Sequence, residues 1–177
     1  MHATHTPEEW RPILGYEGLY EVSSYGRVRS LDRWVNGRAG ARCWRRGKLL
    51  SPTSSPRNYQ LLTLWLSGKG SHQRVHVLVL EAFVGPRPNG LVACHNDGNG
   101  ANNQLSNLRW DTTSSNGHDR VTHGNHYQAN KTHCVNGHEF TPENTYHKPP
   151  HRDAKHVAPN WTRECRTCRK AARSKAA

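Results

Sequence analysis

A chain of 177 residues can form one domain or several small ones, but only 33% of its residues are hydrophobic and its mean hydropathy is −0.93. That excludes one large apolar core and favours small modules helped by a metal or a partner. Twenty-five lysines and arginines against 13 aspartates and glutamates leave a formal charge of +12, with 13 histidines, 6 tryptophans and 6 tyrosines interleaved, which points to a polyanion met by several surfaces, nucleic acid first. The N-terminus has no signal-peptide run and no stretch approaches a membrane span, so the expected setting is the cytosol, with no membrane partner. Five cysteines without an export signal read as metal ligands in preference to disulfides.

In chain order, Leu19 to Ser23 and Arg27 to Leu31 are short strand-like runs with turn chemistry, Ser24-Tyr25-Gly26, between them. Val28 and Leu31 can face inward while Arg27, Arg29 and Arg33 face outward. Asn36 to Arg42 reads as an exposed loop. Arg45, Arg46 and Lys48 follow Trp44 on an expected strand running into Leu49-Leu50. Cys43 has no cysteine or histidine at ligand spacing and is expected to be a buried or idle thiol. Tyr59 to Leu66 alternates only in part and should be one more strand, completing an N-terminal sheet. Val75 to Val84 is apolar almost all round. Its Leu-Glu-Ala-Phe end and the Gly85-Pro86 stop favour a short buried helix.

Leu91 to His95 reads as a strand that ends by presenting His95. Asn96 to Gln104 is a loop whose asparagines and aspartate can tie down their own backbone. Asn107 to Thr113 is the returning strand, and Ser115 to His123 can form a helix after the N-cap candidates Thr112-Thr113-Ser114-Ser115. The order is β-turn-β-α. Beyond a polar linker at Asn125 to Lys131, Cys134-x₃-His138 and Cys165-x₂-Cys168 are two half-sites that make a closed structural zinc set. His133, His147, His151 and His156 are spare. Residues 149–153 suggest an exposed insertion. Arg163, Arg166, Arg169, Lys170, Arg173 and Lys175 make the last segment a candidate phosphate-contacting helix or tail.

Three stretches resemble known modules. Trp10-Arg11-Pro12-Ile13, Gly15 to Ser23 and Tyr25 to Ser30 resemble the NUMOD-type module that precedes the nuclease core of phage and intron HNH endonucleases. That implies a DNA-associated β module with Arg27 and Arg29 as phosphate contacts. His76-Val-Leu-Val, then Cys94-His95-x-x-Gly-x-x-x-Asn102-Asn103 through Asn107-Leu-Arg-Trp110 to Asn116, is similar to the ββα-metal core of HNH endonucleases. The Cys-x₃-His, Glu143-Asn-Thr-Tyr146 and Cys-x₂-Cys runs resemble the small zinc module that ends many phage HNH proteins.

The resemblance implies an α+β protein in three modules: a β-rich DNA-associated module at 7–70, a nuclease core at 71–124 and a zinc-stabilised basic module at 125–177. It implies His95 as general base, Asn107 as the residue that braces the loop and fixes the histidine's orientation, and Asn116 as a ligand of a divalent cation. Hydrolysis of a phosphodiester needs these types: a histidine to take a proton from water, and oxygen ligands for Mg²⁺ or Mn²⁺. The second ligand position holds Cys94, which suits a softer metal; Asp97, or His118, Asp119 and His123, are the substitutes. His76 and Arg109 join the DNA-contact candidates. The expected function is metal-dependent cleavage of double-stranded DNA. The alternative is a zinc-stabilised DNA-binding or packaging accessory whose HNH fold no longer cuts.

Overall fold

The computed structural model describes residues 7–37, 40–56, 58–147 and 163–174. Residues 1–6, the tip of the Asn36 to Arg42 loop at Arg38 and Ala39, the 149–153 insertion, His151, His156 and Lys175 lie outside them. Two units divide after Thr113.

In the first unit, apolar residues from distant stretches meet in one core. β1 (Trp10–Pro12), β2 (Tyr20–Ser23) and β3 (Val28–Ser30) form an antiparallel sheet. Its turn at Gly26 has φ +79°, a conformation only glycine adopts without strain. Ile13, Tyr20, Val22 and Val28 point from this sheet into the core. β4 (Arg33–Asn36) and β5 (Arg42–Arg45) make a separate ribbon with Trp34 opposite Trp44. Cys43 on β5 is free and exposed, so of the two expectations, a buried or an idle thiol, the buried one is corrected. A two-stranded ribbon has no second layer to bury it. Arg33, expected to face outward, instead donates to the Leu19 and Leu31 carbonyls beside the Tyr20 ring.

β6 (Thr53–Ser54), β7 (Gln60–Leu66) and β8 (Lys69–Arg74) form their own sheet, so β7 does not complete the first one. Leu62 and Leu64 alternate into the core. β8 reads Lys-Gly-Ser-His-Gln-Arg and has no apolar period to announce it. The tight turn at Ser67 and Gly68, with φ 50° and 78°, folds it back on β7.

α1 (Val75–Phe83) follows at once and buries Val75, His76, Leu78, Val79 and Leu80. It packs on β1, β2, β7, β8, β9 and β10. Each such Val or Leu contributes about 1.5–3 kcal/mol when fully buried. β9 (Leu91–His95) and β10 (Leu108–Thr112) pair antiparallel, with Leu108 opposite His95, and a 3-10 turn at Leu105–Asn107 leads into β10. The Trp110 indole donates to the Gly85 carbonyl at 3.3 Å, tying β10 to the end of α1.

α2 (Thr113–Thr122) starts two residues before the expected helix and lies, from Ser114 on, in the second unit, with α3 (Tyr127–Asn130) inside the expected linker. β11 (Thr145–His147) pairs with β12 (Arg163–Cys165), and α4 (Arg166–Ser174) follows. Among the described residues no helix is long and apolar enough to cross a membrane.

Candidate active site and metal centre

The loop between β9 and β10 is held by its own side chains. Asn107 donates through Nδ2 to Asp97 Oδ1 at 2.9 Å and to the Asn102 carbonyl at 2.8 Å, while its Oδ1 accepts from the Asp97 amide at 3.1 Å. One buried carboxamide thus ties both arms of the loop together. Asp97 also accepts from the Asn99 amide at 2.8 Å and from Asn102 Nδ2 at 2.7 Å. Burial works upward on its pKa. The hydrogen bonds from Asn102, Asn99 and Asn107 and the nearby His95 outweigh that and hold the carboxyl below its ordinary value.

His95 closes β9 and is 8% exposed. Its Nε2 lies 3.2 Å from Asn103 Oδ1. Its ring centroid is 4.9 Å from that of His76 and 5.9 Å from that of Tyr59. Burial is the largest influence on His95 and lowers its pKa, against the Asn103 hydrogen bond and the Asp97 charge. His76 is held down to about 3 by burial, then by His95 and Arg74. Both imidazoles are therefore neutral at pH 7.

Cys94 is 1% exposed, and its thiol donates to the Val92 carbonyl at 3.6 Å. Asn116 stands in the first turn of α2, half-buried, and its carboxamide makes no hydrogen bond among the described residues.

Two expectations change here. His76 is only 2% exposed, so it has no surface with which to meet a phosphate; it packs against the imidazole of His95 instead. Asp97 accepts from three N–H donors, because an Asx-rich loop satisfies its backbone through its own carboxylate, which gives it a bracing role beside the metal-ligand role expected of it. Two contacts of His95 had no assigned role in the sequence, Asn103 and Tyr59. Asn103 carried a signal, as the second asparagine of the motif; Tyr59 lies far away in sequence.

The basic candidates sort by their partners. Arg27 pairs with Glu8, Arg29 with Glu21 at 2.6 Å, and Arg109 with Asp111 at 2.8 Å. Arg45, Arg46 and Lys48 are exposed. In the second unit, Arg166, Arg169, Lys170 and Arg173 line one cleft with Tyr146, the Arg169 guanidinium 4.0 Å from that ring. Arg163 is structural: it donates to the Ala129 and Lys131 carbonyls and lies over Phe140.

Cys134, His138, Cys165 and Cys168 present ligand atoms all within 4.8 Å of one another. The Cys134 and Cys168 sulfurs are 3.7 Å apart, and His138 Nδ1 lies 3.5 and 3.3 Å from them. A tetrahedron with Zn–S near 2.3 Å has edges of about 3.8 Å, so this set could hold zinc. Outer donors support it. Asn136 Nδ2 donates to Cys168 at 3.2 Å and Asn144 Nδ2 to Cys165 at 3.4 Å. The Cys168 amide is the main cause that brings the Cys165 thiol down to about 6. Asn144 also accepts from the Thr167 amide and hydroxyl, fixing the start of α4 to the ligand set. His133 and His147 are exposed and stand outside the set.

A loop braced by asparagines around a buried histidine, on a β-turn-β scaffold, defines a class. Residues 73–118 match the HNH endonuclease family and residues 8–65 the NUMOD4 motif. A NUMOD4 match followed by an HNH endonuclease match, in a mixed α+β fold, is the order that the resemblance implied.

It is similar to DNA endonuclease I-HmuI of Bacillus phage SP01, with 36% identity over 116 residues, 66% of this chain and 59% of that protein. A solved structure of the HNH homing endonuclease I-HmuI, concerned with DNA binding and cleavage, matches with a TM-score of 0.54 at 36% identity, covering 67% of this chain and 60% of that one. An uncharacterised HNH endonuclease of Acanthamoeba polyphaga mimivirus is 28% identical over 116 residues, 66% of this chain and 31% of its own. The chain spans less than two thirds of either relative's length. Both family matches end before Cys134.

Proposed function

We propose that the chain is a metal-dependent DNA endonuclease of phage or mobile-element homing type, acting on double-stranded DNA in the cytosol of the host. One observation carries the reading: His95 closes the strand beside an asparagine-braced loop, with Nε2 hydrogen-bonded to Asn103 and, among the described residues, no hydrogen bond to its other ring nitrogen. A neutral histidine so placed can take a proton from a water attacking a phosphodiester. Asn107 holds the loop that aims it.

Asn116 fits the active-site cation: its carboxamide oxygen is unengaged among the described residues, and oxygen ligands suit Mg²⁺ or Mn²⁺, which keep water and substrate phosphate in the rest of their shell. Asp97 can serve beside it, since its Oδ2 accepts one hydrogen bond, from Asn102, and carboxylate oxygens suit the same ions. Cys94 would enter only as a thiolate, a ligand for a softer metal. When bound, the cation neutralises charge on the scissile phosphate and the leaving oxygen. The zinc set is structural, because four protein ligands close the shell and leave no open position.

The working division is 7–70 for DNA association, 71–124 for cleavage and 125–177 for a zinc-folded anchor. Arg45, Arg46 and Lys48 serve phosphate contact in the first module, and Arg166, Arg169 and Lys170 in the last. Arg27, Arg29 and Arg109 reach a phosphate by sharing or releasing their carboxylate partners.

Supercoiled plasmid incubated with Mg²⁺, Mn²⁺, Zn²⁺ or Ni²⁺ should yield nicked or linear product. His95→Ala should lower the rate by about 10²–10⁴-fold while a mobility shift still reports DNA binding. Unchanged cleavage by that variant would remove His95 from the role. Cys94 favours a second reading, a DNA-binding accessory that does not cut, since a buried thiol stands where a carboxylate would hold the metal. Binding without product under any metal would select it.

A further inference from the structure

The amide of Asn103 has its orientation set by a second bond. Its Nδ2 donates to the Ala101 carbonyl at 3.3 Å, so the atom facing His95 Nε2 at 3.2 Å is Oδ1. A carboxamide oxygen only accepts, so His95 Nε2 carries the proton. A neutral imidazole has one N–H, which leaves the lone pair on Nδ1. That nitrogen makes no hydrogen bond among the described residues. Nδ1 is therefore the nitrogen with a lone pair left to take a proton from water, in a residue that is 8% exposed.

Asn103 is itself clamped from the N-terminal module. It is 5% exposed. A Cβ built on Gly26 would stand 2.5 Å from Asn103 Cβ and 2.8 Å from its carbonyl oxygen, so only glycine lets the β2–β3 turn lie against it. The same turn accepts the Leu105 amide at the Ser24 carbonyl, 2.8 Å away. Tyr59 and His76 flank the imidazole of His95.

We propose that Asn103, backed by the Gly26 turn, is a positioning residue that keeps the proton of His95 on Nε2 and so makes Nδ1 the working base. The NUMOD4 segment is then part of the nuclease site as well as a DNA-associated module. This rests on the reading of His95 as base.

The test has two readouts on the full chain. Long-range ¹H–¹⁵N NMR of the imidazole should show His95 as the Nε2–H tautomer in the wild type and a mixture in Asn103→Leu. Plasmid cleavage by Asn103→Leu should show kcat lower by on the order of 10²-fold, with the DNA dissociation constant within about twofold. Asn103→Asp, which keeps an acceptor toward Nε2, should restore most of the rate. Gly26→Ala should reproduce the kcat loss where its melting temperature shows that it folds; Asn103→Leu tests the idea without it.

An Nδ1–H tautomer in the wild type, or an Asn103→Leu protein with unchanged tautomer and kcat, would overturn the proposal. If His95→Ala still cleaves, the base assignment falls on its own, while the tautomer measurement reports separately whether Asn103 orients the ring.

Discussion

The two units of the chain are held together by different physics. The first gathers Ile13, Val22, Val28, Leu64, Val75, Val79 and Leu80 into a core that water does not reach. In the second, the described residues that are buried are Thr145 and Cys165, and Cys165 is one of the four side chains that could hold a metal. The first unit has apolar area to oppose chain entropy; the second buries little among its described residues, and bonds to a metal at its Cys/His cluster would supply what is missing. The contrast explains how a chain with 33% hydrophobic residues can still build a buried nuclease site. The apolar residues are concentrated in one unit and the ligands in the other.

The sharpest way to break this comparison is to remove the metal. Structural zinc sites supply about 10–16 kcal/mol of apparent binding free energy in small modules. Chelation should therefore open the second unit and leave the first intact. Amide hydrogen exchange should lose protection at Thr145–His147 and Arg163–Ser174 but keep it in β2, β7 and α1. Equal loss in both units, or loss in neither, would end the distinction.

A smaller effect probes the first unit. Leu64 is fully buried on β7, and Leu64→Ala should cost about 2–5 kcal/mol. It should lower the urea midpoint of the first unit while the second unit's zinc content stays at one equivalent. Zinc loss in this variant would mean that the two units do not fold independently.

The smallest effect is on pH. His76 has a folded pKa of about 3, against about 6.5 in the unfolded chain. Below about pH 6.5 the unfolded chain binds a proton that the folded one refuses, so stability falls as pH falls. The slope is up to about 1.4 kcal/mol per pH unit until the folded pKa is reached. His95 is lowered by the same burial and acts with the same sign. Urea titrations of the first unit between pH 7 and pH 5, with chelator present, should show the loss, and His76→Gln should flatten it. A slope unaffected by that variant would assign the pH dependence elsewhere.

What was legible in the sequence is what short-range spacing can encode. The Cys134, His138, Cys165 and Cys168 half-sites, the turn at Ser24-Tyr25-Gly26, the helix before Gly85-Pro86 and the order strand, loop, strand, helix around His95 all follow from residues a few positions apart. Less legible were the places where a distant segment decides. β8 has no hydrophobic period and exists because β7 offers it backbone partners. His76, a DNA-contact candidate by resemblance alone, starts a helix expected to be buried, and the fold packs it against His95.

The sequence by itself determined the class of chemistry, because ligand types, loop-bracing asparagines and a histidine at a strand end are set by composition at close spacing. Only the tertiary structure decided which groups act on that histidine. Gly26 and Tyr59 lie far from His95 along the chain, and the β2–β3 turn and β7 reach the loop only because one shared core draws them together. Burial and close approach depend on the whole fold, and no local pattern carries them.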